Sequence, residues 1–226
     1  YTNSFLSFFP KISIILNIDA DHLDFFKDID DIRHSFRLFA QKLPADGTLI
    51  INSDTPSYEE IIRNLPCEVI TYGLKSSAQY QAEDITYNEL GHPSFVCKRN
   101  GKVIGQFSLS VPGIHNVSNA LAVIALGIKL NMNLEDIQKG ILQFTGTDRR
   151  FQYKGKIGDV TIIDDYAHHP TEIKATLTAA KKYPHEKTWC VFQPHTYTRT
   201  KAFFNEFAEA LSHADHQDLF PAVAGN

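Results

Sequence analysis

The 226-residue chain is 43% hydrophobic and 21% charged, which is typical of a globular protein and long enough for one large domain or two. Its net charge of -4 argues against a general surface for nucleic acid or anionic membranes, and no apolar run approaches the roughly 20 residues of a membrane span. Cys67, Cys97 and Cys190 lie far apart without a CxxC spacing, so we expect no zinc site, no disulfide framework and a cytoplasmic location.

The beginning of the sequence has the character of a chain interior. Residue 1 is Tyr1, and a buried-strand pattern, KISIILNI, starts at Lys11 without a preceding signal-peptide pattern. We therefore expect the sequence to be a fragment whose N-terminal part is missing.

The first half alternates between strand and helix patterns. Strands are predicted at 11–18, 47–54 and 67–73, and helices at 29–43 and 58–65. This β-α-β-α-β order predicts a doubly wound α/β fold with a mostly parallel sheet. Between Gln79 and Val111, Asn-Gly separates two alternating runs, which predicts an antiparallel hairpin on that sheet.

The second half begins with two helices and returns to α/β alternation. Helices are predicted at 115–130 and 134–144, and after GTDRRF the order is strand, helix, strand and helix up to Leu211. We place a domain boundary near Arg150, which gives one α/β domain over 1–149 and a second over 150–226 with only two αβ repeats, too few for a comfortable sheet.

Three loops at predicted strand ends carry titratable side chains, and open α/β sheets bind ligands at such ends. NIDADHLD contains Asp19, Asp21, His22 and Asp24. This loop fits a capped helix start as well as a site for a hard cation, although Mg²⁺ prefers oxygen ligands. QPHTYTRT is the third such loop, after the predicted strand TWCVFQ.

The remaining loop, DDYAHHPTEI, has two acids, a tyrosine and adjacent histidines before a helix. Pro170 suits the first helical position and Glu172 suits the positive end of the helix dipole, so a solvated helix start explains part of the motif. It does not explain why His168 and His169 stand side by side after a strand.

Two further pairs have both a structural and a functional interpretation. Asn116 and Asn119 lie on one face at the start of an apolar helix, where one asparagine is a routine cap and a second could pair with an adenine edge. Arg149 and Arg150 at the domain junction are either a solvated pair or a phosphate clamp.

The order and spacing of five motifs resemble those of the Mur ligases. The motifs are NIDADHLD, GIHNVSNALA, FTGTDRRF, DDYAHHPTEI and FQPHTYTRT, and the match extends to about Leu211. Within that family the set is most similar to the branch that joins L-alanine to UDP-N-acetylmuramate. The resemblance implies an ATP-dependent, Mg²⁺-requiring ligase of peptidoglycan synthesis that forms an acyl phosphate before the amine attacks. It also implies that 1–149 is the central ATP-binding domain without its N-terminal part and that 150–226 is a truncated Rossmann-like α/β C-terminal domain.

The resemblance also implies roles for individual residues. His22 would be a Mg²⁺ ligand near the γ-phosphate. The residues on the nucleotide side would be His115, Asn116, Asn119, Arg150 and Asp165. Those facing the amino acid and the uridine-linked substrate would be Tyr166, His168 and Arg199. His168 could accept the amine proton or only orient the amine.

The sequence departs from the family pattern in several places. No G-x-x-x-x-G-K-[ST] occurs, the metal-binding glutamate of the family would fall upstream of Tyr1, and Thr196 stands where many members have arginine. The ending HADHQDLFPAVAGN lacks the apolar strand expected after the last helix. We therefore expect residues 1–226 alone to have no ligase activity.

Two alternatives remain open from the residues. One is another Mur-type ligase acting on a UDP-muramyl peptide, such as a ligase that recycles murein tripeptide. The other is a non-catalytic module in which His168, His169 and nearby acids hold a transition metal.

Overall fold

The structure, a computed structural model, describes residues 3–20, 25–75 and 77–221. The chain divides into two compact units. The first contains the described residues of Tyr1–Ile85, Ser94–Ser108 and Val117–Ile141. The second contains those of Thr86–Pro93, Leu109–Asn116 and Leu142–Asn226.

The larger sheet has six strands in sequence order, and its first strands are parallel. The strands are β1 (Ile12–Ile15), β2 (Thr48–Asn52), β3 (Glu68–Gly73), β4 (Tyr80–Tyr87), β5 (Pro93–Arg99) and β6 (Lys102–Ser108). The mostly parallel α/β fold is confirmed, although β1 is shorter than the predicted strand at 11–18.

Four helices accompany this sheet close to their predicted positions. They are α1 (Ile29–Ala40), α2 (Tyr58–Ile62), α3 (Ile114–Lys129) and α4 (Leu134–Gln143). The start of α1 is set by Asp28, whose carboxylate accepts hydrogen bonds from the N–H groups of Asp30 and Asp31.

Alternate residues of β2 are buried on opposite faces of the sheet. Leu49 and Ile51 belong to one core cluster, which includes residues of α1 and α2, so Ile50 points to the other face. The amide of Asn52 contacts the Ser118 hydroxyl at 3.4 Å, and Lys129 pairs with Glu68 at the start of β3. These contacts place α3 antiparallel to the strands, with its start at their carboxyl ends.

The predicted hairpin is confirmed by β5 and β6, which pair antiparallel. Asn100 and Gly101 join them with φ angles of 50° and 76°, the pair of positive values that a tight hairpin turn requires. Phe95 and Phe107 stack with ring centroids 5.8 Å apart and are almost fully buried.

The second unit has two small sheets and three helices among its described residues. Its elements are β7 (Gln152–Ile157), β8 (Val160–Asp164), α5 (Pro170–Ala180), β9 (Trp189–Phe192), α6 (Tyr197–Ala202), α7 (Phe204–Leu211) and β10 (His216–Leu219). β7 pairs antiparallel with β8, and β9 pairs parallel with β10. Apolar side chains of α5, β9 and α7 form one core cluster.

Three elements correct the sequence analysis. β7 was not predicted, part of the loop QPHTYTRT forms α6, and HQDL near the end forms β10 where we expected no strand. The strands β7 and β10 are short and largely exposed, so they are defined by backbone pairing and not by an apolar pattern. None of the helices in the described part of the chain combines the length and the apolar character that a membrane span needs.

We predict opposite effects of adding a methyl group at two glycines. A Cβ would meet nothing within 4 Å at either Gly101 or Gly140, but only Gly101 has a positive φ, of 76°. Gly101→Ala should lower the free energy of unfolding by about 1–2 kcal/mol through backbone strain. Gly140→Ala, inside α4, should raise it by about 0.5–1 kcal/mol. Urea unfolding of both variants checks this, and equal effects would contradict the turn geometry.

Candidate functional site

The predicted residues of the second unit gather around two segments. One is the linker segment, Gly146–Phe151, which precedes β7, and the other is the turn Asp165–His169 between β8 and α5. The backbone N–H of Tyr166 donates to the Arg149 carbonyl at 2.7 Å, so the two segments are in direct contact.

Asp165 ties these segments together through both carboxylate oxygens. Oδ2 accepts from the Phe151 N–H at 2.8 Å and from the Thr176 hydroxyl at 3.0 Å. Oδ1 accepts from the Ala167 N–H at 2.7 Å, which shapes the turn itself. In this arrangement the Asp165 carboxylate holds protein backbone, and its predicted place at the nucleotide remains a prediction.

The backbone of the linker segment is strained on both sides of Arg150. Arg149 and Phe151 have φ angles of 59° and 46°, a left-handed conformation that costs about 1–2 kcal/mol for a residue other than glycine. The Arg149 N–H is held by Gln152 Oε1 at 2.9 Å, and its guanidinium lies 4.6 Å from the Tyr166 ring centroid. These contacts and the Asp165 bond to Phe151 offset the strain.

The adjacent histidines have different environments. His169 is buried and is the N-cap of α5, since its Nδ1 accepts from the Thr171 N–H at 3.3 Å and its ring packs edge-on against Phe203. His168 is more exposed, and its Nδ1 lies 2.9 Å from the Tyr166 carbonyl. A carbonyl can only accept, so Nδ1 of His168 carries the hydrogen and Nε2 has the lone pair in the neutral ring.

Glu172 links the turn to the linker segment, and the sequence analysis gave it only a helix-dipole role. Its Oε2 accepts from the His168 N–H at 3.0 Å, and its Oε1 accepts from Arg150 Nη1 at 3.2 Å. Partial burial raises the pKa of this carboxyl, but the His168 N–H and the Arg150 guanidinium outweigh burial, so the pKa of Glu172 is lowered. The sequence contained a signal for the contact with His168, because position 172 is four residues after His168 and lies in the first turn of a helix.

His115 lies at the start of α3 against a glycine. A Cβ on Gly113, whose φ is 98°, would come within 2.5 Å of the imidazole, so the ring needs glycine there. Although His115 as a residue is exposed, packing around its ring lowers its pKa; nearby Asp165 raises the pKa and Arg150 lowers it. His115 is therefore close to two other predicted nucleotide-side residues of the same unit.

The two predicted asparagines occupy the first turns of α3. Asn116 donates from its side-chain amide to the Pro112 carbonyl at 2.7 Å, which ties the first turn of α3 to the chain before it. Asn119 follows one turn later and is half-buried. The capping interpretation and the predicted contact with adenine both remain predictions.

Arg199 lies on α6, whose N-cap is Thr196. The Thr196 hydroxyl accepts from the Arg199 N–H at 3.4 Å, so the residue that replaces the usual arginine starts this helix. Phe203, which ends α6, packs against His169 with ring centroids 5.0 Å apart. The segment after β9 and the turn after β8 therefore meet at this aromatic contact.

The predicted metal ligand His22 lies outside the described residues, as do Asp21 and Asp24. Of that loop, Asp19 is described, and its Oδ1 accepts from the Ala20 N–H at 2.8 Å. The part of the chain that the structure describes contains no group of three His, Cys, Asp or Glu side chains arranged to hold a metal ion.

Two family models account for most of the chain. The model of the Mur ligase middle domain matches residues 3–127. The model described as Mur ligase, glutamate ligase domain, matches residues 149–220. The chain belongs to the Mur ligase family.

Individual Mur ligases extend this result. UDP-N-acetylmuramate–L-alanine ligase of Lachnospira eligens is 58% identical over 216 residues, 95% of this chain and 47% of that protein. The crystal structure of UDP-N-acetylmuramate–alanine ligase from Thermotoga maritima has a TM-score of 0.78 at 30% identity and covers 98% of this chain and 48% of that one. The crystal structure of MurF ligase from Thermotoga maritima in complex with ADP has a TM-score of 0.78 and covers 93% of this chain and 48% of that one. At 20% identity, this likeness shows the fold alone. The chain spans about half the length of the curated relatives it matches.

We predict that the two adjacent acids of this Mur ligase contribute unequally to stability. Asp165→Asn places an amide N–H₂ among donors and should lower the free energy of unfolding by about 1.5–3 kcal/mol. Asp164→Asn removes longer ion pairs, 3.8 Å to Arg149 and 3.7 Å to Lys154, and should cost less than about 1 kcal/mol. Urea unfolding of both variants measures the difference, and equal losses would contradict the structural role of Asp165.

The lowered pKa of Glu172 predicts a pH dependence of stability. Because its folded pKa lies below the ordinary value of 4.5, Glu172 stabilises the fold above that pH, and the contribution is lost as pH falls through the folded pKa. The stability difference between wild type and Glu172→Gln should shrink as the pH falls below 4.5 and through the folded pKa of Glu172. Urea unfolding across this series measures it, and a constant difference would show that the charge of Glu172 is unimportant.

Proposed function

We propose that the full-length protein containing this chain is an ATP-dependent ligase that joins L-alanine to UDP-N-acetylmuramate in cytoplasmic peptidoglycan synthesis. The observation that carries the proposal is the 58% identity to the Lachnospira eligens ligase across 95% of this chain. A carboxylate oxygen of the sugar nucleotide attacks the γ-phosphorus of ATP and ADP leaves. The amine of alanine then attacks the acyl carbon, phosphate leaves, and the amine loses a proton.

On the nucleotide side, we assign His115, Asn116, Asn119 and Arg150. The electrostatic influence of both Arg150 and Asp165 on His115 supports a common location for these three residues in the second unit. A guanidinium suits phosphate because it donates from a fixed planar fork. Asp165 contributes by holding the backbone beside Arg150, as its bond to the Phe151 N–H supports.

On the amino-acid side, His168 receives the proton of the attacking amine at Nε2. The contact between its Nδ1 and the Tyr166 carbonyl supports this, since it keeps the lone pair of the neutral ring on Nε2. Tyr166 packs edge-on against the His168 ring, with centroids 5.0 Å apart, and limits its orientation. Arg199 is assigned to an anionic group of the substrates.

Mg²⁺ belongs to this proposal, with His22 as its ligand in the loop that begins at Asp19. The loop is rich in carboxylates, the hard oxygen donors that Mg²⁺ prefers. When bound, the ion would neutralise charge on the transferring phosphoryl group.

The two alternatives are less well supported. A transition-metal module built on the paired histidines needs further ligands, and the described residues contain no group of three His, Cys, Asp or Glu side chains arranged to hold a metal ion. A ligase for UDP-muramyl peptides is disfavoured because the relatives between 49% and 60% identical are named as alanine ligases.

We predict that His168→Ala in the full-length enzyme lowers kcat/KM for L-alanine about 10²–10⁴-fold, the usual contribution of a proton acceptor. The KM for ATP should change little, since His168 is assigned to the amine. Steady-state rates of ADP formation with UDP-N-acetylmuramate and varied L-alanine measure this. His213→Ala, a histidine beside Lys181 and outside the proposed site, is the matched control. Unchanged alanine kinetics in His168→Ala would refute the assignment.

A further inference from the structure

The side chain of Glu172, in the first turn of α5, contacts both the linker segment and the β8–α5 turn. One carboxylate oxygen is 3.2 Å from Arg150 Nη1. The other is 3.0 Å from the His168 N–H and 3.5 Å from His168 Nδ1. A single side chain on α5 thus contacts one residue assigned to the nucleotide and one assigned to the amine.

The location of Glu172 is fixed by the start of its helix. His169 caps α5 and Pro170 occupies its first turn, so the backbone around Glu172 has little freedom. An acid in the first turn is also favoured by the helix dipole. The side chain is about one-third exposed, at 32%, which leaves it partly shielded from solvent.

The contacts of the Glu172 carboxylate restrain the side chains of both His168 and Arg150. The Tyr166 carbonyl and the Glu172 carboxylate both face Nδ1 of His168, and both can only accept. They hold the ring with Nδ1 protonated and Nε2 directed away from these acceptors. The same carboxylate restrains Arg150, which stands between two left-handed residues and has an otherwise long, mobile side chain.

We propose that Glu172 is a positioning residue that holds Arg150 and His168 in one arrangement, so that the phosphate-binding and amine-binding groups are oriented together. This inference rests on the proposed function, because it uses the roles assigned there to Arg150 and His168. Glu172 itself contacts no substrate in this account. Its loss should therefore disturb both halves of the reaction, whereas the loss of His168 disturbs the amine half.

The test uses the full-length enzyme with Glu172→Gln, which nearly preserves the volume but loses the charge and one acceptor. We expect kcat/KM to fall about 10–100-fold for both ATP and L-alanine, the range seen when a group that orients an active residue is removed. Glu209→Gln is the matched control, since Glu209 of α7 forms an ion pair at 2.9 Å with Lys174 of α5, the helix that carries Glu172. Glu209→Gln should leave both kinetic constants unchanged.

Two further variants separate positioning from mere stability. Glu172→Asp keeps the charge but is one methylene shorter, so it should recover part of the activity. Arg150→Gln combined with Glu172→Gln should lose less than the product of the single losses, because the two groups act together. If the loss in kcat/KM of the double variant equals the product of the two single losses, the proposal is overturned. The same holds if Glu172→Gln changes only the melting temperature and leaves kcat/KM unchanged.

The ring nitrogens of His168 provide a readout that does not need turnover. With ¹⁵N-labelled histidine, the wild type should show one set of His168 ring signals, and Glu172→Gln should broaden or split them, because the ring loses the carboxylate beside Nδ1 and keeps only the Tyr166 carbonyl. An equally ordered His168 ring in both proteins would refute positioning by Glu172. A wild-type enzyme that does not consume ATP with L-alanine would instead refute the proposed function, so the two failures are distinguishable.

Discussion

The carboxylate of Asp165 is the interaction on which the second unit's site depends. It accepts bonds from the Phe151 and Ala167 backbone and from Thr176 of α5, so one side chain connects the linker segment, the turn and the helix. Arg149 and Phe151 are left-handed, and without these bonds the chain would relax to ordinary dihedral angles and redirect Arg150. The strain on both sides of Arg150, the residue assigned to a phosphate, is thus offset by contacts that can be named.

The side-by-side histidines acquire a physical explanation from the start of α5. A helix beginning at Pro170 needs a preceding cap, and His169 supplies it while its ring fills the space beside Phe203. His168 is one residue earlier, outside the helix, and its ring contacts the Tyr166 carbonyl and Glu172. One histidine therefore serves the fold, and its neighbour is available for chemistry.

The second unit brings the loops after β8 and β9 together by side-chain packing. β8 pairs with β7 and β9 pairs with β10, so the loops after β8 and β9 do not share a described sheet edge. The His169–Phe203 contact and the core formed by α5, β9 and α7 join them instead. This matters for a Mur ligase because the motifs DDYAHHPTEI and FQPHTYTRT are separated in sequence but are assigned to the same substrates.

The sequence by itself determined the features that depend on short-range chemistry. Apolar spacing located α1, α3 and α4, and Asn100–Gly101 located the hairpin, because few residues besides these adopt two consecutive positive φ angles. The motif order also identified the family, as the matching domain models confirm. Only the tertiary structure revealed β7, α6 and β10, whose short segments lack an apolar period and depend on pairing or on the Thr196 cap. It also decided which histidine is buried and that Glu172 reaches Arg150, since both depend on groups brought together from distant parts of the chain.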